Sequence, residues 1–367
     1  MKVRYSYLQQ QFSNCPELWR DLKKFVSTGD FTLGKPLKKF EKSFAKLIGT
    51  KYAVGVNSGT DALKLSLKAL GVGRKDEVIT AANTFVATVG AITELGATPV
   101  FVDVNDTFCM NTELIEKKIS KKTKAIVPVH FTGYMTDMSK LMKISKKYKI
   151  PIIEDACQSI LANINGKNAG TWGIASSFSL HPLKNINVWS DGGVITTNNK
   201  KLYDQLILLR NHGLIDRDTV KICGFNSRLD TFQAVVGNWL LPKAKKIADQ
   251  RIKNALYLDR NLSNIKQIKI PCRPMKFKIV FHLYIVFAED RDNLYKYCLK
   301  NGIEAKIHYP IPIYRQRAYT YLKYKKGDFP VCDDHAKKII SFPCDQHLSK
   351  YQLNYIIKTI EKFYKNK

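Results

Sequence analysis

Between residues 78 and 154 the sequence alternates short, unbroken apolar runs with stretches of helical periodicity, and few folds accept such a pattern. Residues 78–80, 99–104, 125–129 and 151–154 read as strands, and 84–95, 112–119 and 138–148 as helices. Strands that are apolar at successive positions must be covered on both faces. The order therefore predicts an α/β fold, an αβα sandwich around a mostly parallel sheet. Ligands of such sheets sit beyond the carboxyl ends of the strands, so the residues just past those ends are where chemistry is expected.

Upstream, Tyr52, Ala53, Val54 and Val56 form another β-type run, followed by Asn57-Ser58-Gly59-Thr60 and a helix burying Ala62, Leu63, Leu65, Leu67 and Leu70. A small-residue turn that feeds a helix leaves free N–H groups at the positive end of the helix dipole. Gly59 and Thr60 can therefore cradle a phosphate, although simple capping accounts for the same residues. The turn has no lysine that would make it a nucleotide-triphosphate loop, and no GxGxxG follows. Asn83, Thr84 and Phe85 follow the next strand and place an aromatic face at the rim. His130 follows the run 125–129, where a satisfied core histidine is as reasonable as a functional one. Asp155 ends the run 151–154 and Gln158 lies one turn beyond. A carboxylate there needs a positive partner or hydrogen bonds to stay ionised, or it caps a helix.

The stretch 177–193, SFSLHPLKNINVWSDGG, places Lys184 between one β-rich run and another at 194–197. A lysine so placed is partly desolvated, its ammonium is disfavoured, and it can serve as a nucleophile or carbonyl-capturing amine. Taken alone it would equally be a lysine reaching for solvent from a strand end.

The remainder bounds the answer. A chain of 367 residues, 45% apolar and 25% charged, has the composition of a globular protein and the length for two domains. No apolar run is long enough to span a bilayer, and residues 1–11 are too polar for a secretory signal, so a cytoplasmic location is expected. The eight cysteines are scattered without CxxC pairs, and no His/Cys cluster has metal-ligand spacing; reduced thiols and no metal are expected. The net charge of +29 raises the possibility of nucleic-acid binding. The lysines are spread at helix-face spacing without a recognition motif, which favours a solvated surface that can attract anionic small substrates. Residues 1–50 read as an entry segment and helices, including one over 36–47 closed by Gly49, with no sign of chemistry. Beyond a helix at 203–210 and a loop at 211–223, Asn226 and Arg228 precede an amphipathic helix starting near 230. The domain boundary is expected near 240, giving a large domain 1–240 and a smaller α+β domain 241–367 with strands over 279–287 and 304–307 and helices over 291–301 and 350–364. In the latter, His308 and Tyr309 form a plausible substrate edge.

Gly59 and Thr60, Phe85, Asp155 with Gln158, and Lys184 thus converge on one sheet edge. Pyridoxal 5′-phosphate asks for these groups: a helix N-terminus for its phosphate, a lysine for its aldehyde, a carboxylate for its ring nitrogen and a stacking partner for its ring.

The motifs NSGTDAL, TFVAT, PVHFTG, IEDACQS, SFSLHPLKN with SDGG, GFNSRL and IHYPIP resemble those of the DegT/DnrJ/EryC1/StrS sugar aminotransferases over nearly the whole chain. The resemblance implies a fold-type-I, aspartate-aminotransferase-like pyridoxal-phosphate enzyme. Its implied reaction moves an amino group, by family habit from L-glutamate, to a keto sugar, usually nucleotide-linked, in amino-sugar or surface-glycan synthesis. It implies that Lys184 bonds the cofactor aldehyde and shuttles protons, Asp155 pairs with the ring nitrogen, Gln158 with the ring hydroxyl, and Phe85 stacks on the ring. Gly59, Thr60 and Ser179 would hold the phosphate, and Asn226 would reach it from the partner subunit of a homodimer with shared sites. His308 and Tyr309 match a segment near the sugar in members that work at carbon 3. The chain departs from the family at Asn187, where glycine or another small residue is common, and at Ser190, where glycine is common. One branch of the family replaces the lysine by histidine and dehydrates the sugar, an outcome Lys184 argues against. A cofactor-binding regulator without turnover is the remaining alternative.

Overall fold

The computed structural model describes residues 1–365. Among these, seven strands form the main layer: β1 (Tyr52–Val56), β2 (Glu77–Ala81), β3 (Thr98–Val102), β4 (Thr123–Val127), β5 (Ile153–Asp155), β6 (Ala175–Ser179) and β7 (Gly193–Thr197). Their spatial order is β3-β2-β4-β5-β6-β7-β1, with the backbone bridges Ile126–Ile152 and Val129–Asp155 joining the two halves. Of the seven only β7 is reversed, pairing antiparallel with β6 and β1. The rest of the layer is parallel, as the alternation predicts.

Both faces are buried, and the side chains divide between them with period two. Val78, Ala125 and Val127 join Leu63, Leu67, Ala91 and Ile92, and Val54, Val56 and Ile195 join Ala62, Leu65, Leu202 and Leu206. The intervening Ile79, Ile126, Ala53 and Val194 point the other way, into a cluster with Phe40, Phe44 and Phe178. The helix Gly59–Ala69 therefore spans two apolar clusters on one face, flanked by the helices Val86–Thr93 and Lys200–Leu209. Helix Lys35–Ile48 buries the stripe Leu37, Phe40, Phe44 and Ile48 and stops at Gly49 in the left-handed conformation (φ +94°), which a residue with a side chain adopts only at a cost.

Three expected elements differ, the first being the strand expected over 279–287, of which only Tyr284–Ala288 forms. Residues 112–119 form two short 3₁₀ turns, Thr112–Leu114 and Glu116–Lys118, rather than one helix. The Asn111 side chain accepts from the Glu113 N–H and closes the first turn, and Lys117 and Lys118 crowd the second with like charge. The expected strand at 304–307 reduces to one bridge, between Lys306 and Ser341.

Beyond the helices Thr231–Leu240 and Ala244–Leu262, the strands Ile268–Lys269, Tyr284–Ala288 and Ile339–Phe342 form an antiparallel sheet with Tyr284–Ala288 in the centre. The N-terminus returns to this region: the Val3 N–H donates to the Gly302 carbonyl at 2.8 Å, and Val3 bridges Ile303. The segment that leaves it, including the helix Leu8–Phe12, thereby runs past the loop that carries Lys184. No helix among the described residues is long and apolar enough to cross a membrane.

Candidate active site

The carboxyl ends of β1, β5 and β6 deliver their following residues to one place. There a cavity of about 340 Å³ is lined by Gly59, Thr60, Phe85, Gln158, Ser179, Lys184, His282, His308 and Tyr309 among others. Its size suits a cofactor with a small ring.

At one wall, Ser58 caps the helix Gly59–Ala69 by accepting from the Asp61 N–H at 3.0 Å. The helix start lies hard against β6, because a Cβ on Gly59 would come within 2.7 Å of the Ser179 Cβ and 3.0 Å of the Cys157 Sγ. Gly193 permits the same close packing from below, where a Cβ would meet the Ser58 carbonyl oxygen. The absent side chains let the helix N-terminus pack on Ser179 in the cavity wall, where the helix dipole favours an anion.

Asp155 is buried, and both its oxygens are held. The Thr88 hydroxyl donates to Oδ2 at 2.7 Å and the Cys157 N–H to Oδ1 at 3.2 Å. Since the single Thr88 proton goes to the carboxylate, Thr84, 2.6 Å away, must be the donor to Thr88. Both donors are neutral groups, so they orient the Asp155 carboxyl without pairing it with a cation. The next residue inward, Glu154, is fully buried and accepts from His130, Gly170, Trp172, Gly173 and Ser176. These donors hold its carboxyl below the ordinary range against the opposing effect of burial. His130 is thus a satisfied core group that anchors the strand, not a member of the cavity wall.

Lys184 stands in the turn after β6. Its N–H donates to the His181 carbonyl at 2.8 Å, the Val188 N–H closes the loop on Leu180 at 2.9 Å, and the Asn185 side chain ties it to the Val280 carbonyl at 3.0 Å. Burial of its amine depresses the Lys184 pKa below that of an ordinary lysine, and the nearby Cys157 and Asp155 oppose the shift only in part. The same burial, with the Asp155 charge, lifts the Cys157 thiol well above its usual value and keeps it protonated.

Gln158 accepts the Thr132 N–H at 2.8 Å, which fixes its amide at the cavity edge. Phe85 is 51% exposed and tilted toward Tyr309, ring centres 6.1 Å apart, so one face is free for stacking. The His308 Nδ1 is within 2.8 Å of the Ser341 hydroxyl; burial, with Lys306 and Lys184 nearby, lowers its pKa to about 4. Two of the expected residues do not line the cavity: Asp155 lies buried behind its wall, and Asn226 is exposed, its backbone bridged to Asn211.

Sequence reasoning missed His282, which lies in the wall beside Lys184. It is 9% exposed with an unpartnered Nδ1, and burial together with the positive charges of Lys184 and Arg251 keeps it neutral. It also missed Thr88, although the four-residue spacing of Thr84 and Thr88 on a helix start was available. The helix N-terminus beside Ser179, the buried carboxylate and the enclosed lysine fit the phosphate, ring nitrogen and aldehyde of pyridoxal phosphate. No cluster of metal-ligating side chains occurs among the described residues, and all eight cysteines are free thiols.

Known proteins resemble this chain in sequence and in fold. A pleiotropic regulatory protein of Geobacillus stearothermophilus is 36% identical over 370 residues, covering the whole of both chains. A UDP-N-acetyl-3-dehydro-α-D-glucosamine 3-aminotransferase of Acidithiobacillus ferrooxidans is 35% identical over 94% of this chain and 93% of its own. Among solved structures, that of S. venezuelae DesV in complex with a ketimine intermediate superposes with a TM-score of 0.96 at 32% identity, covering 99% of this chain and 98% of that one. The model of the DegT/DnrJ/EryC1/StrS aminotransferase family matches residues 15–361, and the chain belongs to that family.

Proposed function

We propose that this protein is a pyridoxal-phosphate-dependent aminotransferase that places an amino group on a nucleotide-linked keto sugar, with the carbonyl at carbon 3. The observation that carries the class of reaction is Lys184, its amine buried and its pKa depressed, in a cavity beside a helix N-terminus, with the doubly hydrogen-bonded Asp155 near enough for its charge to act on that amine. The choice of carbon 3 is supported by the 3-dehydro substrate named for the Acidithiobacillus relative and by His308 and Tyr309 in the cavity wall.

When bound, the cofactor supplies an electron sink for the bond changes at the amino-bearing carbon. Lys184 would hold the aldehyde and, as a free amine, would take up and return a proton. Asp155 would pair with the ring nitrogen, Gln158 would orient the ring hydroxyl, and Phe85 would cover a ring face. Gly59, Thr60 and Ser179 would hold the phosphate. Neutral His308 and protonated Tyr309, whose pKa burial raises, offer hydrogen bonds without charge, which suits a hydroxylated sugar ring. The amino donor is L-glutamate, the assembly a homodimer in which Asn226 of one copy completes the other's phosphate site, and the setting cytoplasmic synthesis of amino sugars for surface glycans. We place the boundary between the large and small domains at 240/241, where the turn Leu241–Lys243 separates two helices.

The name of the Geobacillus relative favours a second reading, a cofactor-binding regulator without turnover. The absorption spectrum with pyridoxal phosphate separates the two. Enzyme function predicts a visible band that Lys184→Ala abolishes and that L-glutamate converts to the shorter-wavelength amine form of the cofactor. A band that forms through Lys184 and ignores every amino acid would leave the regulator standing.

A further inference from the structure

Behind Lys184 lies a second, smaller chamber bordered by Tyr5, Gln11, Asn187, Arg251 and Gln346, residues that come from four distant parts of the chain. Its polar side chains are joined head to tail. The Arg251 Nη1 donates to the Gln346 Oε1 at 3.0 Å, and the Gln346 Nε2 donates to the Gln11 Oε1 at 2.7 Å. The Gln11 Nε2 then donates to the Asn187 Oδ1 at 3.0 Å, and the Asn187 Nδ2 donates to the backbone carbonyl of Lys184 at 2.9 Å. Each amide uses its oxygen to accept from the preceding member and its nitrogen to donate to the next, so the series has one direction and ends on the lysine's own peptide.

The guanidinium that starts this series has a second arm. Its Nε donates to the Phe281 carbonyl at 3.0 Å and its Nη2 to the His282 carbonyl at 2.9 Å. Phe281 is held with φ at +45°, a region that a bulky side chain rarely enters unless the surroundings impose it. The imposition is visible: the Val280 N–H is bound to the Gly133 carbonyl, the Leu283 N–H to the Thr132 carbonyl, and the Val280 carbonyl to the Asn185 side chain. One buried guanidinium thus fixes both the peptide that carries Lys184 and the peptide that carries His282, its neighbour in the cavity wall.

We propose that Asn187, Gln11 and Gln346 are positioning residues that hold the Lys184 amine in its desolvated place, so that the N-terminal segment is a working part of the active site. The inference rests on the reading of Lys184 as the cofactor-capturing amine. Asn187 is the member that makes the series possible, because a glycine or alanine there offers neither acceptor to Gln11 nor donor to Lys184.

The test is the rate at which cofactor-free protein condenses with pyridoxal phosphate, one water being released as Lys184 joins the aldehyde, followed by the visible band across pH. Asn187→Gly and Gln11→Met should each slow capture by about five- to tenfold and move the pH midpoint of the capture rate upward, since a loosened amine regains water and its pKa climbs. The double variant should be no worse than Asn187→Gly alone, because both break the same series. Gln11→Met, at a half-buried position, keeps the test open should Asn187→Gly fail to fold. Thermal unfolding recorded in parallel identifies a purely structural role: a lowered melting temperature with capture rate and pH midpoint unchanged would overturn the proposal, as would additive losses in the double variant. Absence of any band in the wild-type protein would instead remove the Lys184 reading, and the proposal with it.

Discussion

His308, held at the Ser341 hydroxyl, is buried and has two nearby ammonium groups, Lys306 and Lys184, and burial and both charges disfavour its protonated form. Its pKa of about 4 against an ordinary value of 6.5 means that the unfolded chain binds this proton at higher pH than the folded one does. Stability from the neutral ring is present above pH 6.5 and is lost as the pH falls through that value toward 4, a loss of about 3 kcal/mol if the whole shift is expressed. His308→Asn should flatten this limb: between pH 6.5 and 4 the wild-type melting temperature falls more steeply than that of the variant, by thermal unfolding in matched buffers. Equal slopes would show that His308 titrates normally. At this scale the sequence is least legible. His308 was found from a short motif, whereas neighbouring His282 was not, because its position depends on Arg251, Asn185 and Gly133 from three other segments.

At the scale of elements, the packing of the helix Gly59–Ala69 on β6 decides how closely its N-terminus approaches Ser179 in the cavity wall. Gly59→Ala places a methyl 2.7 Å from the Ser179 Cβ, and the helix start must retreat. Overpacking of this kind costs about 1–3 kcal/mol, and the retreat opens the phosphate site, so pyridoxal phosphate should bind about tenfold more weakly by titration of the visible band. Gly90→Ala is the control: nothing lies within 4 Å of its added Cβ, and it is helical. It should leave cofactor binding alone and stabilise by about 0.5–1 kcal/mol. Equal behaviour of the two variants would sink the argument from close approach. These elements were legible because continuous apolar strands and helical stripes are local patterns, and the sheet edge follows from their order. The segment 112–119 was misread for the same reason: Thr112, Ile115 and Ile119 have helical spacing, and only the local Asn111 bond and the lysine pair divert the chain into two turns. Residues 1–50 showed no chemistry, since Gln11 meets Asn187 across 176 positions and Gln346 across 335.

For the whole molecule, the placement of Asn226 is decisive. A single chain keeps it exposed and outside its own cavity, while Gly59, Thr60, Ser179 and Lys184 line that cavity together. If Asn226 completes a phosphate site, it does so in another copy, and the two defects Lys184→Ala and Asn226→Ala then fall differently in a mixed dimer. One of its two sites would carry both substitutions and the other neither. Each variant alone should be inactive or severely weakened. Co-folding the two in equal amounts should return about a quarter of wild-type activity, since half the dimers are mixed and each holds one intact site. Simple mixing of preformed dimers should give this only at the rate of subunit exchange. If each chain carried a complete site, the mixed dimers would hold one site lacking Lys184 and one lacking Asn226, and co-folding would give only the average of the two variants. The recovered fraction therefore reads out whether the active site belongs to one chain or to two.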